Sequence, residues 1–221
     1  MRLKSPKVII FDMDGVIFDT EVLARRLWQS VFEDYGYSLP DATYKKVIGR
    51  TMDAARQVLI DEYGPELPMD IMFDEQDALY RKITAQPISQ KPGVIEILEY
   101  LKQRNIPCAV GSSTYHEDVE NTLCVNGLRD YFATVVGGDY VAQGKPAPDI
   151  FLKCAEYLQV EPANCLVIED SNNGLRAANA AGMRTVMIPD LIPANEIDSD
   201  LEFTVCSSLC ELKDLFTVVF S

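Results

Sequence analysis

The chain has 221 residues, 48% of them apolar, and a formal net charge of −14. That acidity excludes sequence-independent nucleic-acid binding, which needs a basic surface, and no apolar run is long enough to span a membrane. The apolar content suffices for a packed core, built as one large domain or as a core with a smaller insert.

The first predicted element is a strand, Val8-Ile9-Ile10-Phe11, which runs into Asp12-Met13-Asp14-Gly15. Residues two apart on an extended chain share a face, so Asp12 and Asp14 emerge together at the strand's carboxyl end. Open α/β sheets bind their ligands there. Two close carboxylates repel unless a cation or a proton sits between them. A solvated acidic loop is the plain alternative. The same acids interrupt the apolar run too early for a signal peptide.

Residues 20–86 contain no convincing strand. Leu23, Leu27 and Val31 recur at helical spacing, as do Ala55, Val58 and Leu59, and predict a helical insert. Its hinges fall at Phe18-Asp19-Thr20 and between Gln86-Pro87 and Pro92-Gly93. Beyond it, strands over 107–111, 134–138, 165–168 and 184–188 alternate with helices near 94–104, 115–126, 148–158 and 173–181. That alternation predicts βαβ units and a parallel sheet. The acidic segment Asn195 to Glu202 reads as a solvated loop. The six cysteines are scattered, and Cys206 and Cys210 lack the second pair or histidine of a zinc site. Most are expected to be buried, reduced thiols, in a cytoplasmic chain.

Four segments carry chemistry. Asp12 can attack phosphorus and split one displacement into two, and Asp14 can protonate the leaving oxygen and then deprotonate water. In Gly111-Ser112-Ser113-Thr114, hydroxyls and N–H groups ahead of a helix either hold a phosphoryl oxygen or cap that helix. In Gly144-Lys145-Pro146-Ala147-Pro148-Asp149, two prolines stiffen the backbone around one lysine. Lys145 either neutralises a nucleophile and phosphoryl group or lies on the surface of a helix-leading turn. Cys165-Leu166-Val167-Ile168 runs into Glu169-Asp170-Ser171, where carboxylates together with a substrate phosphate suit Mg²⁺. Ser171 or Asn172 also suits the cap of the following helix.

In that order, the segments resemble the haloacid dehalogenase superfamily of phosphatases and phosphomutases. The resemblance rests on Phe11-Asp12-Met13-Asp14-Gly15-Val16-Ile17-Phe18-Asp19-Thr20, Gly144 to Pro148 and Ile168-Glu169-Asp170-Ser171, and it covers nearly the whole chain. It implies a three-layer α/β Rossmann-like core of residues 1–19 and 87–221, with a helical cap of residues 20–86. It implies Asp12 as nucleophile, Asp14 as acid and base, and Ser112 and Lys145 on the transferring phosphoryl group. Mg²⁺ would be held by Asp12, the Asp14 carbonyl and Asp170, with Glu169 on the ion or bracing its ligands. Thr20, Arg50, Ser113 and Thr114 are the further substrate-binding candidates; for Arg50 a surface ion pair is the alternative.

Within the superfamily, the chain is similar to the β-phosphoglucomutases and their phosphatase relatives. Ala24 stands where the mutase has a histidine, and Tyr115-His116 where it has Lys-Asn. Asp19-Thr20-Glu21 is common among the phosphatases. The expectation is therefore a monomeric, Mg²⁺-dependent phosphatase of small phosphorylated metabolites, sugar phosphates first. A hexose-phosphate mutase and a non-catalytic binding protein on the same fold are the rivals.

Overall fold

The computed structural model describes residues 6–219. Six strands, β1 (Val8–Phe11), β2 (Cys108–Gly111), β3 (Phe132–Val136), β4 (Cys165–Glu169), β5 (Arg184–Met187) and β6 (Thr204–Val205), form one sheet. Their order is β3-β2-β1-β4-β5-β6 and every pairing is parallel. This is the doubly wound order, in which connections leave β1 toward both edges and open a crevice between β1 and β4.

Four helices, α1 (Glu21–Asp34), α2 (Asp41–Tyr44), α3 (Met52–Tyr63) and α4 (Met69–Thr84), separate β1 from the rest of the sheet layers. Those layers contain α5 (Val94–Gln103), α6 (His116–Val125), α7 (Asp149–Tyr157), α8 (Asn172–Ala180) and α9 (Leu209–Val219). The alternation of the strands sorts the core into two faces. Ile9 and Phe11 of β1, with Leu166 and Ile168 of β4, pack under α5, α6 and α9. Val8 and Ile10, with Cys165 and Val167, pack under α7 and α8. Burial on both sides explains why these strands are continuous apolar runs.

The helices α1 to α4 build a separate apolar cluster around Phe32, Leu59, Met69 and Met72, which continues onto Leu175, Met187, Ile192 and Ile197 of the sheet unit. The buried face of α1 is Trp28, Val31 and Phe32. Leu23 and Leu27 of the predicted stripe are only half-buried, because α1 turns its aromatic side toward α4, where Trp28 meets Phe73 at 4.6 Å edge to face. The two connectors run side by side. Asp19 N–H donates to Ser89 O (2.9 Å) and Lys91 N–H to Ile17 O (2.8 Å), so the four helices leave and rejoin the sheet unit at one place.

Three details differ from the sequence reading. β3 starts and ends two residues before the predicted span, because Gly137 and Gly138 turn against the start of α6; a Cβ on Gly137 would strike the backbone of His116. β6 and α9 lay outside the predicted elements. The segment Asn195 to Glu202 is pinned rather than simply solvated: Asp198 pairs with Arg176 and Ile197 is buried. Among the described residues, no helix is long and apolar enough to cross a membrane.

Candidate active site

Asp12 follows β1 directly, and its N–H still donates to Ile168 O of β4 (2.9 Å). The ladder thus fixes Asp12 in the crevice, where it is 5% exposed. Gly15 then reverses the chain with φ +77°, a region that favours glycine, and its N–H donates to Phe18 O (2.9 Å).

Lys145 is 1% exposed, which removes the surface reading. Its ammonium donates to Asp12 Oδ1 (2.7 Å) and Glu169 Oε1 (2.6 Å). Glu169 ends β4, and its other oxygen accepts from Asp170 N–H (2.9 Å), Ser171 N–H (2.9 Å) and Ser171 Oγ (3.0 Å). Both Glu169 oxygens are therefore taken. Ser171 also caps α8, accepting from Gly174 N–H at 3.0 Å, and a Cβ on Gly174 would collide with the Glu169 carboxylate. The strand end, helix cap and lysine thus form one rigid unit.

Asp14 is surrounded by donors. Thr20 Oγ1 (2.6 Å) and Tyr80 OH (2.8 Å) donate to Oδ1. Thr114 Oγ1 (3.0 Å) and Ser112 Oγ (3.4 Å) donate to Oδ2. The Ser112 segment is not a side-chain cap of α6: that helix starts at His116, whose N–H donates to Asp139 (2.7 Å). Ser112 Oγ instead accepts from Thr114 N–H (3.1 Å). Ser113 donates to Gly49 O (2.9 Å), joining the sheet unit to the helical one. Arg50 lines the cavity. Its Nε donates to Lys46 O (3.0 Å), and among the described residues it forms none of the ion pairs.

Acid outweighs base here. Burial pushes the Asp12 carboxyl up to about 8 against the pull of Lys145. Burial, then the charge of Asp14, pushes Glu21 up to about 8. Asp170 lies well above the carboxylate range, through burial and then Glu169. Burial alone would lower Lys145, but Asp12 and Glu169 hold it above its ordinary value.

The residues fit a hard divalent cation. Asp12, Glu169 and Asp170 bring one oxygen each within 4.8 Å of one another. Asp170 Oδ2 is buried with no hydrogen-bond partner among the described residues, a costly state for a carboxylate and one that a cation relieves.

The sequence reading did not single out Glu21, Tyr44, Tyr80 or Asp190. Tyr44 OH donates to Glu21 (3.2 Å), and Glu21, Tyr44 and Tyr80 line the same cavity as Asp12, Asp14, Ser112 and Thr114. The signal for Glu21 was its place directly after Asp19-Thr20. Trp28 packs in the helical cluster and also lines the cavity. His116 stacks on Tyr140 at 4.1 Å and lies outside the lining.

Residues 9–188 match the family described as haloacid dehalogenase-like hydrolase. The chain is 35% identical over 178 residues to the fructose-1-phosphate phosphatase of Escherichia coli (strain K12), covering 80% of this chain and 94% of that protein. It is 32% identical over 192 residues to the bifunctional riboflavin kinase/FMN phosphatase of Arabidopsis thaliana, covering 85% of this chain; it spans only 50% of that protein's length. The crystal structure of β-phosphoglucomutase from Clostridium difficile superposes with a TM-score of 0.81 at 25% identity, over 97% of each chain. The family match runs from β1 to the end of β5 and takes in Asp12, Ser112, Lys145 and Asp170 alike: the chain belongs to the haloacid dehalogenase-like hydrolases.

Proposed function

We propose that this chain is a Mg²⁺-dependent phosphatase of small phosphorylated metabolites, sugar phosphates first, acting through an aspartyl-phosphate on Asp12. One observation carries the reading: Asp12, Asp14, Ser112, Lys145 and Asp170, from four distant segments, meet at the strand ends beside one cavity.

An Asp12 oxygen attacks phosphorus and the bond to the leaving alcohol breaks. Asp14 gives that alcohol its proton. Asp14 then takes a proton from water, which attacks the aspartyl-phosphate, releases inorganic phosphate and restores Asp12. Ser112, Thr114 and Lys145 hold the phosphoryl oxygens, with Ser113, Thr20 and Arg50 flanking the substrate. Asp12, Asp170 and the Asp14 carbonyl would hold Mg²⁺, which supplies positive charge against the phosphoryl oxygens. Glu169 braces Lys145, since both its oxygens are engaged. Residues 20–86 act as a cap on a core of 1–19 and 87–221, excluding water and selecting substrate. Ala24 in the cavity lining has no proton to exchange, which favours hydrolysis over transfer back to a sugar. A monomer in the cytoplasm belongs to the same proposal, supported there by six free cysteines.

Phosphate release from a panel of phosphomonoesters, with Mg²⁺ and with chelator, tests this. Selective, Mg²⁺-dependent release that Asp12→Asn abolishes, with the circular dichroism spectrum unchanged, is expected. Turnover by Asp12→Asn above trace level would remove Asp12 as nucleophile. Conversion of β-glucose 1-phosphate to glucose 6-phosphate faster than phosphate release would make the chain a mutase instead.

A further inference from the structure

Asp190 lies three residues beyond β5, at the same end of the sheet as Asp170. Its side chain is 10% exposed. One oxygen, Oδ1, accepts from Lys91 Nζ at 2.7 Å. The other, Oδ2, is buried and has no hydrogen-bond partner among the described residues, and the same holds for Asp170 Oδ2.

These two orphaned oxygens face one place. A Cβ on Gly15 would lie 2.8 Å from Asp170 Cγ, closer still to Asp170 Oδ2, and 3.3 Å from Asp190 Oδ2. Only glycine at 15 lets the Asp170 carboxylate come so close, and it brings both carboxylates around one point. Two buried acceptors gathered there, with no donor among the described residues, is an arrangement a folded chain rarely keeps without a water or cation between them. Asp190 is outside the trio whose oxygens lie within 4.8 Å of one another, so it is set back from direct ligation. Mg²⁺ usually keeps several waters, and each such water donates strong hydrogen bonds.

We propose that Asp190 is a positioning residue of the cation site, accepting through Oδ2 a hydrogen bond from a water on the ion that Asp12 and Asp170 hold. The inference rests on the cation reading above. Lys91, held also by Asp19 at 3.6 Å, offsets the charge of Asp190 through Oδ1 and does not engage Oδ2. Carboxylates that orient a metal's ligands in this way typically change affinity by about 10–100-fold.

Isothermal titration calorimetry of the full chain with Mg²⁺, without substrate, decides it. Asp190→Ala should weaken Mg²⁺ binding by at least about tenfold. Lys91→Met breaks the same ion pair but keeps the carboxylate, and should bind Mg²⁺ as well as the wild type or more tightly. Thermal unfolding checks that both variants fold. Binding by Asp190→Ala within threefold of the wild type overturns the inference, as does equal weakening by Lys91→Met, which would make Asp190 only the partner of Lys91. A wild-type chain that binds no Mg²⁺ overturns the cation reading itself, and this inference with it.

Discussion

Replacing Lys145 with Met tests whether the buried ion pairs organise the site. Methionine keeps most of the apolar stem and removes the charge, its donors and the ammonium's place over the Phe151 ring, 4.8 Å from the centroid. Lys145 bridges Asp12 and Glu169 at 2.7 and 2.6 Å with no side-chain exposure of its own and none for Glu169. Removing one member of a buried pair leaves an uncompensated charge and costs about 3–5 kcal/mol. Two carboxylates lose their cation here, so the cost should be about 3–5 kcal/mol at pH 7.5. Urea denaturation followed by circular dichroism, in chelator, measures it. A loss below about 1 kcal/mol would refute the reasoning, because that is the range of a solvated surface pair. Turnover should fall at least about 10²-fold, the usual effect of losing a charge aimed at the reacting group.

Glu21 supplies a pH test with a definite sign. It faces Asp14, Asp12 and Asp190, and Tyr44 donates to it. Its folded value of about 8 exceeds the ordinary 4.5, so its contribution to stability is full below pH 4.5 and is lost as pH rises through 8. Glu21→Gln, which mimics the protonated form, should gain on the wild type between pH 5 and 8 by up to about 1.4 kcal/mol per pH unit in metal-free urea titrations; a difference independent of pH would refute it. Tyr80→Phe removes the one donor that α4 gives Asp14. If Asp14 protonates the leaving oxygen, alkyl phosphates should slow about tenfold or more, and p-nitrophenyl phosphate, whose leaving group needs no proton, should slow less. Equal slowing of both would assign Tyr80 to packing.

The elements around the sheet were legible because their signals are local. Val8 to Phe11 and Cys165 to Ile168 are apolar runs that stop at acids, and a strand buried on both faces must read so. The gathering of Asp12, Lys145 and Glu169 was legible only through motif order, since no local pattern says that residue 145 reaches residue 12. Tyr80 and Asp190 escaped for the same reason. Tyr80 comes 66 residues after the Asp14 it touches, and each sits in a segment whose own spacing reads as ordinary helix or loop. The hydroxyls after β2 were ambiguous because capping and anion binding use the same groups; the chain resolves it by starting α6 only at His116. α9 was missed although Leu209, Leu212 and Phe216 lie at helical spacing and are buried, because it follows a strand of only two exposed residues.

The two halves of the cavity answer to different constraints. The wall from the strand ends is fixed by backbone: Asp12 by the ladder to Ile168, Glu169 by two N–H groups and a helix cap, Lys145 by both acids. None of these can move without breaking several bonds at once, so this wall suits a reaction common to many substrates. The opposite wall comes from α1 and the segments after it. Trp28, Ile48, Met52 and Leu59 give it apolar surface, and Gln76 is 4% exposed yet lines the cavity. Those side chains are held mainly by packing, which tolerates exchange of similar volumes at less than about 1.5 kcal/mol. Selectivity can therefore change through residues 21–84 while the strand-end wall stays as it is. A substrate screen is accordingly best paired with substitutions at Trp28 and Gln76, where altered preference among esters, with p-nitrophenyl phosphate as the common reference, would locate selection in the helical wall.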